Sequence, residues 1–411
     1  MNFMKALSGE EIIERIKAAG APVIIFGAGV AGEALYYACL EAGIKIASFC
    51  DNNINKVKFR LCDTKVVHTR DLKARYKDAL FLISAADIQD VISQLRDLGL
   101  SKWYPASPLL RGFDAHRHKF SAPLDFVEYA VATCILCQES YLDPDKLFLR
   151  SLDIIVTERC SLKCVNCSNL MQYYGKPVDC GINELMLSIG RFCDIIDEIN
   201  EFRVIGGEPF MNKDFHLIVK RLVDEPKAKK VVVYTNGTIV PAAGQMEPLK
   251  SEKVLFIITD YGKLSRNLDS LASALKQNRI AYYVQKAQGW TDCAKIIEHH
   301  RTEKEQKELF RNCCAKNTFT LSDAKLYRCP FSANCDRLRA VPAQEDDSVD
   351  IFRYSGEGKD TLEAKNRIRA FLTQKQYLGA CDYCNGRPFT ASEITPAVQT
   401  PKPLEYDIKQ K

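Results

Sequence analysis

The chain has 411 residues, 46% of them hydrophobic and 27% charged, with a net charge of +5. This length exceeds one ordinary domain and the balance is that of a globular protein. The mild positive excess does not point to nucleic acid or an anionic membrane, and no apolar run approaches the roughly 20 residues that span a bilayer.

The opening MNFMKALSGEEIIERIKAAG reads as a short amphipathic helix. It lacks the apolar core and small-residue cleavage site of a signal peptide, so a cytoplasmic location is expected. Residues 22–49 alternate strand, turn, helix and strand. An apolar run from Val23 to Phe26 leads into Gly27-Ala28-Gly29-Val30-Ala31-Gly32, then a helix EALYYACLEAG closed by Gly43. A strand IKIASF follows and runs into Cys50-Asp51-Asn52-Asn53. DALFLISAAD reads as another buried parallel strand, followed by a helix VISQLRDLG. The pattern predicts a small doubly wound α/β domain over residues 1–113. Gly27, Gly29 and Gly32, after a strand and opening a helix, fit the dinucleotide fingerprint, with Asp51 placed to hold ribose hydroxyls. The glycines let backbone amides approach a phosphate, so a nucleotide or nucleotide-sugar is the expected ligand, an empty scaffold the alternative. Residues 114–150 read as a helical connector, with Cys134 and Cys137 as core.

A second alternating series starts at Leu152. Strands are predicted at 152–158, 201–208, 230–237, 253–262 and 280–286, with helical patterns such as INELMLSIGRFCDIIDEI and SRNLDSLASALKQN between them. Repeated βα units over residues 151–300 imply a parallel sheet curled into a full or partial barrel, whose function sits at the C-terminal strand ends. TERCSLKCVNC follows the first of these strands and places Cys160, Cys164 and Cys167 close together. Among 17 cysteines, an odd number in a chain without an export signal, this spacing favours metal or cluster ligation over disulfides. Thiolates are the ligands that iron–sulfur clusters need. Three of them can hold three irons of a [4Fe–4S] cube and leave the fourth open. Zinc with a distant fourth ligand, or plain buried cysteines, are the alternatives, although structural zinc usually takes paired C-x2-C knuckles. The second strand ends in Gly206-Gly207-Glu208-Pro209, the third in Thr235-Asn236-Gly237 and the fourth in Asp260-Tyr261-Gly262. Asn236 and Asp260 are candidate nucleoside or substrate contacts, or else turn and cap residues.

From about Arg301 the pattern changes. CCAKNTFTLSDAKLYRCPF reads as a β-hairpin with cysteines at both ends, and GACDYCNGRP follows after a loop and a helix. A small Cys-rich α+β domain over residues 301–392 is expected, followed by a loose Pro-rich tail, 393–411. Cys39, Cys50, Cys62, Cys180, Cys193 and Cys293 are isolated and read as core.

C-x3-C-x2-C at the end of a first barrel strand resembles the signature of the radical S-adenosylmethionine (SAM) superfamily. Gly206-Gly207-Glu208-Pro209 is similar to that family's GGEP motif. The resemblance implies a partial (βα)6 TIM-type barrel and a [4Fe–4S] cluster on Cys160, Cys164 and Cys167. Its open iron chelates the amino and carboxylate groups of SAM, and the GGEP segment contacts the amino group. Reductive cleavage yields a 5′-deoxyadenosyl radical that abstracts a substrate hydrogen, with a flavodoxin- or ferredoxin-type electron donor. The later cysteines resemble the Twitch domain, a shorter relative of SPASM, which holds an auxiliary [4Fe–4S] cluster. Its ligands here are Cys313 or Cys314, then Cys329, Cys381 and Cys384, the preference going to Cys314. Zinc on these four is the alternative. Ala324 stands where the family has the glycine of Gly-x4-Cys, which bears on the turn. Residues 1–113 resemble the nucleotide-sugar-binding, Rossmann-like domain of bacterial sugar acyltransferases. Together these imply a radical SAM oxidoreductase or epimerase acting on a small molecule, a nucleotide-linked sugar or polyol. A ribosomal peptide as substrate, or a non-catalytic nucleotide-binding protein, are the alternatives. The sequence assigns no catalytic side chain.

Overall fold

The computed structural model describes residues 7–354 and 358–406 and divides the chain into two compact units, 1–150 and 151–411.

The first unit begins with α1 (Gly9–Ala19), capped by Ser8 and Glu11 in a reciprocal capping box and closed by Gly20 at φ 57°. Then come β1 (Val23–Phe26), α2 (Val30–Glu41), β2 (Ile46–Asp51), β3 (Arg60–Leu61) and β4 (Thr64–His68). The rest of the unit is α3 (Leu72–Arg75), β5 (Leu80–Ile83), α4 (Ile88–Asp97), β6 (Trp103–Pro105), α5 (Ser107–Leu110) and α6 (Leu124–Leu142). The sheet order is β3-β4-β2-β1-β5-β6. Every pairing is parallel except the β3–β4 hairpin. β1 and β5 are buried along their whole length, as strands covered on both faces must be. Alternate residues feed two cores: Val23, Ile25, Leu80 and Leu82 go to one, Ile24, Phe26, Phe81 and Ile83 to the other. The strand order turns between β1 and β5, the crevice where open α/β sheets bind ligands.

The segment expected as a connector belongs to this unit. α6 sends Val127, Val131 and Cys134 into the first core. Its buried Gln138 accepts from Ser107 N (2.9 Å) and donates to the carbonyls of Ile83 (2.7 Å) and Ala85 (3.0 Å).

The second unit contains β7 (Phe148–Ile155), α7 (Ile182–Ile195), β8 (Glu198–Ile205), α8 (Phe215–Val223), β9 (Ala228–Thr235), β10 (Val254–Asp260), α9 (Leu268–Gln277) and β11 (Ala281–Lys286). After these come α10 (Glu303–Asn312), β12 (Thr320–Ser322), β13 (Lys325–Tyr327), α11 (Pro330–Leu338), β14 (Ser348–Asp350) and α12 (Gly358–Thr373). The sheet order is β11-β10-β9-β8-β7-β12-β13-β14. β8 to β11 pair in parallel succession, and β12 joins β7 in parallel on its other side. The helices turn one apolar stripe to the sheet, such as Leu185, Ile189 and Phe192 of α7 and Leu271 and Leu275 of α9.

Two details depart from six regular βα repeats. Two 3-10 turns, Ala243–Gln245 and Glu247–Leu249, take the place of a helix between β9 and β10. No helix or strand lies in residues 287–302, and β12, from the Cys-rich segment, supplies the sixth parallel strand. The expected hairpin is β12–β13, widened by β14. Its two turn residues, Asp323 and Ala324, sit at φ 48° and 60°, so the alanine occupies a left-handed position that glycine favours.

The expected loose tail is not loose where it is described. Residues 397–400 lie against the cysteine loop that follows β7, with Val165 N donating to Val398 O and Thr400 N to Lys163 O, both at 2.8 Å. Residues 407–411 lie outside the described part. Among the described residues no helix is long and apolar enough to cross a membrane.

Candidate functional site

β7 and β8 end side by side, and their loops are laced together. Gly207 N donates to Thr157 O (2.9 Å) and Glu208 N to Arg159 O (2.8 Å). The two glycines permit this approach. Gly206 has φ 144°, and a Cβ there would fall 2.3 Å from Thr157 O. A Cβ on Gly207 would fall 2.0 Å from Arg159 O and 2.9 Å from Cys160 Cβ. Side-chain bonds fix the start of the cysteine loop. Thr157 Oγ1 donates to Asp179 Oδ1 (2.7 Å), and Arg159 pairs with Asp179 Oδ2 and Met211 O, both at 3.1 Å.

Cys160, Cys164 and Cys167 come out of this loop into one cavity of about 380 Å³, whose wall also includes Gly206, Gly207 and Asn236. All 17 cysteines are free thiols. Burial raises the pKa of all three, that of Cys164 to about 11 despite a bond from Gln399. Uncharged thiols in a buried pocket become thiolates when a cationic iron site compensates the charge. Among the described residues no group of three or more His, Cys, Asp or Glu side chains stands ready to hold a single metal ion. A cube, with each thiolate on a separate iron, takes a wider ring. Three thiols, a cavity and a glycine-lined wall that admits a ligand close to the backbone suit such a cube with a small chelating molecule beside it.

Other sequence candidates have structural partners. Glu208 is fully buried, accepting from Thr235 Oγ1 and from Asn236 N, both at 2.8 Å. Burial raises its carboxyl to about 7 against those bonds. Pro209, itself buried, opens a 3-10 turn. Asn236 Nδ2 lies 3.1 Å from Ser161 Oγ and 3.7 Å from Cys160 Sγ, which suits a residue facing the cavity. Asp260 closes its own turn, accepting from Gly262 N at 2.7 Å, while its neighbours Thr259 and Tyr261 line the cavity.

The second cysteine group reaches the same cavity. Cys313, Cys329 and Cys384 are in its wall, and Cys313 lies close enough to Cys329, Cys381 and Cys384 to add to the rise that burial gives their pKa. Cys314 is exposed, its N–H spent on Arg387 O (2.8 Å). Arg301 fixes the C-x2-C turn by donating to the carbonyls of Cys381 (2.8 Å) and Cys384 (2.9 Å). A buried pair, Arg337 to Glu158 at 2.6 Å, ties α11, which follows Cys329, to the loop that carries Cys160.

The cavity wall also holds residues that the sequence does not single out, Asp153, Arg203 and Cys293 among them. Asp153 of β7 and Arg203 of β8 form a 2.5 Å ion pair in the wall, and Arg203 stacks over Tyr234 at 6.0 Å. Burial raises Asp153 to about 6 while Arg203 opposes it. The available signal is weak, because Asp153 shares β7 with Arg150 and Arg203 shares β8 with Glu198 and Glu201. Cys293, read as core, is buried but lines the cavity beside Cys167 and Cys313.

In the first unit, Gly27 has φ 111°, and a Cβ on Gly32 would fall 2.0 Å from Gly27 O. Both positions therefore require glycine for the turn and for helix–strand packing, while Gly29 faces open space save for Lys56. Asp51 accepts from Ala28 N (2.9 Å), Asn53 N (2.9 Å) and Lys56 Nζ (2.8 Å), so its carboxylate holds the loop together.

Residues 154–319 match the Radical SAM superfamily, and this stretch is a radical SAM domain. Members of the superfamily are enzymes that use a [4Fe–4S] cluster and SAM. The chain is 26% identical over 147 residues to a GTP 3′,8-cyclase of Clostridium acetobutylicum, covering 31% of this chain and 43% of that one. It is 30% identical over 91 residues to the enzyme of that name from Stenotrophomonas maltophilia, covering 22% and 27%. It thus spans less than half the length of these relatives. A structure of BtrN in complex with AdoMet and 2-DOIA is similar over 63% of this chain and 98% of that one, at 15% identity and a TM-score of 0.34.

Proposed function

We propose that this chain is a radical SAM enzyme that abstracts hydrogen from a nucleotide-linked sugar or polyol, oxidising or epimerising it. The observation that carries this reading is the single cavity shared by Cys160, Cys164, Cys167 and the Gly206-Gly207 wall. Those three thiolates would hold the reactive [4Fe–4S] cluster. Cys313, Cys329, Cys381 and Cys384 would hold an auxiliary one, with Cys313 in place of the exposed Cys314. When bound, the reactive cluster supplies the electron that cleaves SAM and so gives the radical that takes the substrate hydrogen.

The chain's own residues do the remaining work. The laced ends of β7 and β8 fix the cysteine loop, so that cofactor and substrate meet in a rigid frame. Gly206 and Gly207 leave backbone exposed to the methionine moiety of SAM, and Asn236 offers a carboxamide beside Cys160. Asp153 and Arg203 give the wall an acceptor and donors suited to hydroxyl-rich or anionic substrate groups. The Gly27–Gly32 turn of the first, Rossmann-like unit suits a nucleotide phosphate, and the likeness to proteins named GTP 3′,8-cyclase favours a nucleotide-bearing substrate. Electrons would come from a flavodoxin- or ferredoxin-type donor.

The test is SAM cleavage under anaerobic reduction. The reconstituted protein should form 5′-deoxyadenosine, and Cys160→Ala should abolish it. Stoichiometric zinc with no deoxyadenosine would overturn the reading. Thermal shifts of the full chain with a nucleotide-sugar panel test the substrate class, and no shift with any of them would count against it.

A further inference from the structure

The sulfurs of the cysteine loop do not receive their hydrogen bonds from the same source. Cys160 takes an N–H from the backbone of Leu162, with Asn236 Nδ2 farther off at 3.7 Å, and Cys167 takes backbone N–H groups from Asn169 and Met171. The backbone donors are within a few residues, so the loop supplies them as it folds. Cys164 takes its donor from Gln399, whose Nε2 lies 3.1 Å from Cys164 Sγ across 235 positions of sequence.

The strap that carries Gln399 is pinned on both sides. Ile394 N donates to Trp290 O (2.8 Å), Val165 N to Val398 O (2.8 Å), Thr400 N to Lys163 O (2.8 Å) and Leu404 N to Gln172 O (2.8 Å). The carboxamide itself fits only one way round. Its Oε1 accepts from Lys163 N (2.7 Å) and its Nε2 donates to Ala397 O (2.8 Å). A backbone amide can only donate and a carbonyl only accept, so the group facing Cys164 Sγ is the N–H.

We propose that Gln399 is a positioning residue for the reactive cluster, directing an N–H at the Cys164 sulfur and holding the reduction potential up. This rests on the reading of Cys160, Cys164 and Cys167 as its ligands. Reduction adds negative charge to a cluster and its thiolates, and an N–H aimed at a sulfur stabilises that charge. The strap therefore makes the reactive centre easier to reduce.

The experiment is an anaerobic redox titration of the reconstituted full chain, followed by EPR. The reactive cluster is identified as the reduced signal that changes on adding SAM. Gln399→Leu removes all three contacts of the carboxamide. Gln399→Glu keeps an acceptor for Lys163 N but has no N–H. Both should make this cluster about tenfold harder to reduce, a potential about 59 mV more negative for one electron. The other cluster's signal should not move. Thr400→Val, in the same strap without contact to sulfur, should leave the potential at the parent value. An unchanged potential in both Gln399 variants would overturn the proposal, as would loss of the SAM-sensitive cluster in both, which would make Gln399 a structural latch. A parent protein with no SAM-sensitive signal would overturn the reading of the three cysteines itself.

Discussion

The two cysteine groups of the second unit reach one cavity by opposite routes. Cys160, Cys164 and Cys167 lie on one loop, shaped by the laced ends of β7 and β8. Cys313, Cys329, Cys381 and Cys384 come from the end of α10, the end of a hairpin and a 3-10 turn beyond α12. The first arrangement depends on local backbone geometry, the second on tertiary packing. The first group should thus be vulnerable to a single backbone clash and the second to loss of packing at a distance.

Gly207→Ala should have the largest effect. Its Cβ would stand 2.0 Å from Arg159 O, and a backbone overlap there cannot be relieved by a rotamer change. We expect a loss of about 4 kcal/mol or more, the range of severe point changes, and loss of the iron held by the first group before that of the second. Urea unfolding with iron analysis reads both, and equal loss from the two groups would remove the distinction. Arg337→Met comes next. It leaves the buried Glu158 carboxylate without its cation and with Val178 N (3.0 Å) as its remaining donor, which should cost about 3–5 kcal/mol. Because the pair joins α11 to the Cys160 loop, both groups should lose iron together. A cost under about 1 kcal/mol in urea unfolding would show that the pair is not a clasp.

A pH effect belongs to the shared wall. Burial raises Asp153 from its ordinary 3.8 to about 6. Between these values the folded chain binds more protons than the unfolded one, so stability falls as pH rises from about 4 to 6 and then levels off. The Tm of the parent chain relative to Asp153→Asn should therefore drop across that window. A relative rise would mean that Arg203 outweighs burial. Ala324→Gly should have the smallest effect. Relief of a left-handed residue, roughly 1–2 kcal/mol, is offset by glycine's added freedom in the unfolded chain, roughly 0.5–1 kcal/mol. A gain of at most about 1 kcal/mol is expected, with iron content unchanged. A loss larger than that would show that the buried alanine methyl matters more than the turn.

The first group was legible because its chemistry and geometry share one stretch of sequence. A strand, three cysteines and a pair of glycines one strand later define it, and the predicted strands fell within a few residues of those observed. The second was legible only as a set of candidates. Sequence cannot tell Cys313 from Cys314, since adjacent residues on a short connection differ only in which way the fold turns them. Asp153 and Arg203 were hidden for a related reason. Each strand carries more than one charge, and which of them faces the cavity has meaning only once its partner on the neighbouring strand is known. The segment around Gln399 reads as polar and Pro-rich, and its role depends on pairing with a loop more than two hundred residues away. α6 reads as a connector from sequence because nothing local marks which core its apolar residues join.

The most direct test of the division of labour is iron content and the SAM response of the reduced EPR signal, compared across three proteins. The parent should hold about eight irons and show one signal that SAM changes. Cys164→Ala should keep about four irons and lose the SAM response. Cys329→Ala should also keep about four but retain it. A SAM response that survives Cys164→Ala, or disappears only in Cys329→Ala, would contradict the account.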